Sequence, residues 1–150
     1  MTAIPRSALI LTAAGVLPFA WAAVTTLSPG VGQDLGLPPM LRGTVAMLTY
    51  GTVILSFMSG VLWGFAAKAG GALAAAGYGL SVVPALWAFF MTGGDPGAAA
   101  VNLAGGFLGV LMLDWAFWQW GLAPRWWMRL RVPVTLAVLA CLAVPILLDR

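Results

Sequence analysis

The 150-residue chain is 62% apolar, carries charge on only 7% of its residues and has a mean hydropathy of +1.01, which excludes an ordinary soluble domain, where about a quarter of residues are charged. Its formal net charge of +3, from seven Lys and Arg against four Asp, is too small and too dispersed to form an electrostatic footprint for nucleic acid. Runs of roughly 20 apolar residues cross a bilayer, so a chain of this length holds about five of them, and the expected fold is all-α: a single membrane domain over residues 1–150, built as a compact bundle of five transmembrane helices in a lipid bilayer.

Taken in order, the first span is expected over 8–27, interrupted by Gly15 and by Pro18 near its middle, where one backbone hydrogen bond is lost. Residues 28–42 hold Pro29, Gly30, Gly32, Gly36, Pro38 and Pro39 and read as the longest polar loop, without regular structure. The second span, 43–67, contains the uncharged stretch Tyr50–Gly64, YGTVILSFMSGVLWG. At about 100° per residue, Thr49, Thr52, Ser56, Ser59, Gly60, Trp63 and Gly64 share one side of this helix, which makes that side the expected packing face. A tight connection at Gly70 and Gly71 leads to the third span, 72–91, with Pro84 near its middle. The turn at 92–97 opens the fourth, 98–118.

The fourth span repeats the design of the second. Ala98, Asn102, Gly105, Gly106, Gly109 and Ala116 fall on one side, while Phe107, Leu111, Asp114 and Trp118 fall on the other. Gly60 with Gly64 and Gly105 with Gly109 each form a Gly-x-x-x-Gly step, which lets helix backbones approach closely in lipid. The second and fourth helices are therefore expected at the centre, with Ser56, Ser59, Gly60, Gly64, Asn102, Gly105 and Gly109 as helix-packing positions. Whether the Tyr50–Gly64 face closes inside the chain or against a partner is left open by the sequence.

Residues 119–131 combine Trp120, Pro124, Arg125, Trp126, Trp127, Arg129 and Arg131, an interfacial composition. A short helix from Pro124 is expected there, with Trp120, Trp126 and Trp127 at headgroup level and a capacity for anionic lipid, and Pro133 is expected to mark a bend into a fifth span over 134–148. Arg6, Lys68, Arg125, Arg129 and Arg131 then lie on one side of the membrane and Arg42 and Arg150 on the other. Basic residues favour the inner side, which places the N-terminus in the cytoplasm and the C-terminus outside. Six arginines against one lysine also suggest a bacterial inner-membrane protein.

The side-chain inventory argues against catalysis. There is no histidine, a single cysteine at 141, and the aspartates stand apart at 34, 95, 114 and 149, so no metal site is expected. Ser56 and Ser59 have no base to activate them. Cys141, in apolar surroundings, reads as a buried small residue. Asp114 is the one ionisable group inside an expected span, and an intramembrane acid is a candidate functional site. Near the end of its helix, a structural ion pair with Arg125, Arg129 or Arg131 is the leading expectation for it.

The ordered set Tyr50, Gly51, Ile54, Leu55, Ser56, Phe57, Gly60, Trp63, Gly64, then Ser81, Val82, Pro84, Asp114, Pro124, Trp126, Leu130, Arg131 and Thr135, resembles the transmembrane-protein-69-like family, also catalogued as domain of unknown function 3429. The resemblance covers roughly residues 11–147. Trp127 stands where tyrosine is expected and Ser59 where glycine is expected. It implies a small multi-span protein of bacterial inner membranes and mitochondria, with no established activity and hence no catalytic residues or cofactor.

Together these features lead to the expectation of a non-catalytic accessory or assembly subunit that packs beside a larger membrane complex, respiratory or photosynthetic. Two alternatives stand beside it. One is a small transporter or channel with a polar path near Pro18, Pro84, Asn102 and Asp114; the other is a lipid- or quinone-binding protein using the Trp126 and Trp127 segment.

Overall fold

The computed structural model describes residues 3–148; Asp149 and Arg150, the latter counted above for orientation, lie outside the described residues. Among those described the chain is helical, with α1 Arg6–Leu27, α2 Pro29–Asp34, a 3-10 turn Pro39–Leu41, α3 Gly43–Ala66, α4 Gly71–Ser81, α5 Val83–Met91, α6 Pro96–Gln119 and α7 Trp127–Leu148. Helix α1, helix α3, helices α4 and α5 together, helix α6 and helix α7 give five segments of 21 to 24 residues that are long and apolar enough to cross a membrane. At about 1.5 Å per residue each reaches the roughly 30 Å of a bilayer core.

Helices α1, α3, α6 and α7 form a closed ring of neighbours, and α4 and α5 lean against α3, with α5 also touching α6. One crossing, made by α4 and α5, separates α3 from α6, so they run parallel, and their contacts keep one register: Gly51 meets Leu103, and Leu55 meets Gly106. A methyl group on Gly51 would overlap Leu103, and one on Gly106 would come 2.7 Å from Leu55 and 2.8 Å from Trp87. These two glycines set the spacing of the central pair. Around them Phe19, Met47, Leu55, Met58, Leu103, Phe107, Val110, Val138 and Leu142 form the main core, and Leu62, Ala66, Phe117 and Ala123 a second cluster nearer the α6–α7 connection.

Three expectations are corrected. The inward side of α3 is Met47, Gly51, Leu55, Met58, Ser59, Leu62 and Ala66, roughly a third of a turn from the side of small residues at about 100° per residue. Ser56, Gly60 and Gly64 are exposed, and a Cβ built on Gly60, Gly64 or Gly109 would meet nothing within 4 Å. The Ser56, Gly60 and Gly64 stripe of that face is therefore left open by the described residues, while Thr52 and Ser59 of the same face meet Thr92 and Ala85. Leucine and methionine fill an intrachain interface as well as small residues do when one glycine on each helix sets the distance, and hydropathy does not separate the two solutions in lipid.

The second correction concerns residues 28–42, where α2 and the 3-10 turn replace the expected irregular loop. Pro29 and Pro39 each start a helical turn, where a missing N–H is no loss. Thr25 Oγ1 accepts the Gly43 N–H at 2.7 Å, and the Trp21 indole donates to Leu41 O at 2.8 Å, which ties this connection to α1. The third correction is at the other end: α7 begins at Trp127 and runs through Pro133 without a break. Trp127, Arg129 and Arg131 thus belong to the fifth span, not to a separate interfacial helix.

The third span carries the backbone defect that Pro84 predicts. It divides at Val82 into α4 and α5. The buried Ser59 hydroxyl accepts the Ala85 N–H across the helix interface at 2.8 Å, and Ser81 bonds back to Tyr78 O at 2.7 Å. A break at membrane depth is tolerated when a neighbouring hydroxyl takes up a freed backbone group.

A buried carboxylate between two donors

Helix α6 ends in a motif that turns the chain back on itself. Gly121, at φ 71°, takes the left-handed conformation that glycine adopts without strain. Leu122 N–H bonds to Phe117 O at 3.0 Å and Gly121 N–H to Trp118 O at 3.0 Å, the six-to-one and five-to-two bonds of a Schellman ending. Pro124 follows, and its carbonyl accepts the Trp127 N–H that opens α7. The reversal lays the first turn of α7 against the last turns of α6. Trp127 and Arg131, four residues apart, share one helix face and meet Asp114 on the buried face of α6.

The Asp114 side chain is completely buried and that of Arg131 is 6% exposed. Arg131 Nε donates to Asp114 Oδ2 at 2.7 Å, and Trp127 Nε1 donates to Oδ1 at 2.7 Å. Each carboxylate oxygen therefore has its own charge-compatible donor. The guanidinium carbon lies 6.0 Å from the Trp127 ring centroid, and Phe65 meets that ring edge-on at 5.1 Å. Pairing is what makes two charges tolerable at such burial, because a lone carboxylate or guanidinium there would lose its hydration uncompensated.

Of the three arginines weighed as partners for Asp114, the structure brings only Arg131 to it. Arg125 and Arg129 are exposed. Trp127, expected at headgroup level, is half-buried, and its indole serves as a donor. Trp126 packs on Trp127 at 5.8 Å between ring centroids, and Trp120 lies 5.4 Å from Phe117 on an exposed edge. Asn102 lies near the opposite end of α6. Its Nδ2 donates to Met91 O at 2.9 Å and its backbone carbonyl accepts the Trp87 indole N–H at 2.7 Å, while a Cβ added at Gly105 would lie 3.6 Å from the Trp87 ring. Buried Leu103, Gly106, Phe107 and Val110 lie between Asn102 and Asp114, so the two polar residues are not joined in a path.

Thr135 went unmarked among the candidate site residues. It is buried one turn beyond Arg131, and the spacing Trp127, Arg131, Thr135 was the available signal: three residues four apart, on one face of a helix whose start the prolines obscured.

These features define a multi-pass α-helical membrane protein organised around a buried ion pair. Residues 4–147 match the family described as protein of unknown function, DUF3429, and the chain belongs to that family. No curated protein and no solved structure matches it.

Proposed function

We propose that this protein is a non-catalytic accessory component of a bacterial inner membrane, with its N-terminus cytoplasmic, that packs beside the helices of a larger membrane complex. The observation that carries the reading is the outward face of α3. Ser56, Gly60 and Gly64 are spaced four apart along an exposed side where a Cβ added at either glycine meets no described neighbour within 4 Å, beside the Trp63 and Tyr78 rings, which pack tilted at 4.5 Å between centroids. A groove of this kind suits close approach by another helix. Ser56 already bonds to Thr52 O at 3.0 Å, so the groove presents its hydroxyl with its donor satisfied.

The test uses the chain in its own membrane. Extracted in mild detergent, the wild-type protein is expected at a native mass well above the 15.6 kDa of one copy, with a partner in fixed ratio. A Gly60→Leu, Gly64→Leu double variant is expected to fold, since among the described residues no atom lies within 4 Å of a Cβ added at either exposed glycine, and to run alone. A wild-type protein that returns only as a single copy, or a double variant that keeps its partner, overturns the proposal.

A further inference from the structure

Between α1, α3, α6 and α7, beside the Asp114–Arg131 pair, lies a cavity of about 210 Å³. Its walls are mainly apolar, including Val16, Phe19, Met58 and Val138, and its lining extends to Leu11 and Phe57, both of which are exposed on the outer surface. Besides the half-buried Thr12, two polar residues of α7 line it. Arg131 Nη2 and Thr135 Oγ1 are buried and have no hydrogen-bond partner among the described residues.

The surplus is specific to this place. Arg131 meets Asp114 side-on through Nε, which leaves Nη2 unused. Elsewhere in the bundle the hydroxyls of Thr25, Thr26, Thr52 and Ser56 fold back on the carbonyl one turn earlier in their own helices. Thr135 makes no such bond. A buried donor left unmade costs about 1–3 kcal/mol, and more on a charged group, so two together beside a cavity call for an acceptor.

The charge balance narrows the class of acceptor. Arg131 and Asp114 already neutralise one another, so an anionic headgroup would add an unpaired negative charge to a buried apolar site. A neutral oxygen adds none. The volume exceeds the roughly 150 Å³ of an apolar cavity that accepts benzene, enough for a ring or a short length of chain. We propose that this cavity binds a membrane-soluble molecule through a neutral carbonyl oxygen, held by Arg131 and Thr135, with its apolar body between α1, α3 and α7. Such a carbonyl is offered by a quinone ring or by the ester of a lipid.

The experiment uses the purified full chain and needs no partner protein, so it succeeds or fails independently of the accessory role. Binding of three probes is compared in detergent by calorimetry: a decyl-substituted benzoquinone, a short-chain diacyl phosphatidylcholine, and decylbenzene, which has a ring and tail but no oxygen. One of the two carbonyl probes is expected to bind at least tenfold more tightly than decylbenzene, and which one identifies the source. Thr135→Val, which keeps the shape and removes the hydroxyl, is expected to weaken that probe roughly 3- to 10-fold without lowering the melting temperature of the empty protein. Val134→Phe, which fills the cavity, is expected to abolish binding. Equal binding of decylbenzene, absence of binding by both carbonyl probes, or an affinity unchanged by both variants overturns the proposal.

Discussion

The two ends of the bundle solve the same problem in opposite ways. At the end holding the α1–α3 connection and the α5–α6 turn, neutral polar groups are consumed locally. Thr25 receives Gly43 N–H, Thr52 and Thr92 share a contact at 3.2 Å, and Asn102 donates to Met91 O. At the end where α6 turns into α7, a full ion pair is buried and its arginine keeps a donor in reserve. Polarity alone does not mark a site in a membrane protein; unsatisfied polarity does. The first end is closed by hydrogen bonds that any helix bundle needs, whereas the second holds more hydrogen-bonding capacity than its own packing uses.

The comparison breaks most severely at Asp114. Asp114→Asn leaves Arg131 charged and buried without a counter-ion, and the expected loss is about 3–5 kcal/mol of stability, read as a collapse of folded yield or of the melting temperature in detergent. Adding Arg131→Met to the same chain removes the stranded charge. No unpaired charge then stays buried, and the asparagine oxygen can still accept the Trp127 indole N–H, so the double variant is expected to recover most of the loss. A double variant as damaged as the single one would show that Asp114 supports the fold by some means other than pairing with Arg131.

Much of this was legible in the sequence. Five spans follow from hydropathy and length, and Asp114 stood out because an intramembrane acid is rare. Pro18 and Pro84 were readable as defects, because a missing N–H is a property of the residue itself. What escaped has a common cause. Pro133 suggested the start of a helix that in fact begins six residues earlier, since proline within a membrane helix is tolerated where neighbours compensate, and that displacement hid Arg131 inside a span. The Gly-x-x-x-Gly steps leave open whether their face closes inside the chain or against a partner, because a small face fits either, whereas the glycines that set the central spacing, Gly51 and Gly106, each face a leucine of the other helix, a pairing visible only in three dimensions.

A smaller effect sharpens the role of Trp127. Its indole gives Asp114 a second donor, and hydrogen bonds to charged groups contribute about 1.5–3 kcal/mol. Trp127→Phe keeps a ring against Phe65 but removes the donor, and a loss in that range is expected in thermal unfolding. Trp127→Tyr restores an O–H on the same face and is expected to recover part of it. Equal losses for the two variants would assign Trp127 to packing alone.

The smallest expected effect lies midway between the two ends, at Ser59. The Ser59 hydroxyl receives the Ala85 N–H at the break between α4 and α5, so Ser59→Ala strands one backbone donor in a site with no water to replace it. The expected cost is about 1 kcal/mol, because interhelical hydrogen bonds in membranes contribute little more than this on average. Global unfolding is a blunt reader of so small a change, but amide exchange at Ala85 and Leu86 is a direct one. Faster exchange there, with Asn102 and Asp114 regions unchanged, would place Ser59 with the closed end of the bundle as a local repair of the Pro84 break. Unchanged exchange would mean that the α4–α5 division is held by packing against α3, and that a glycine at this position serves as well.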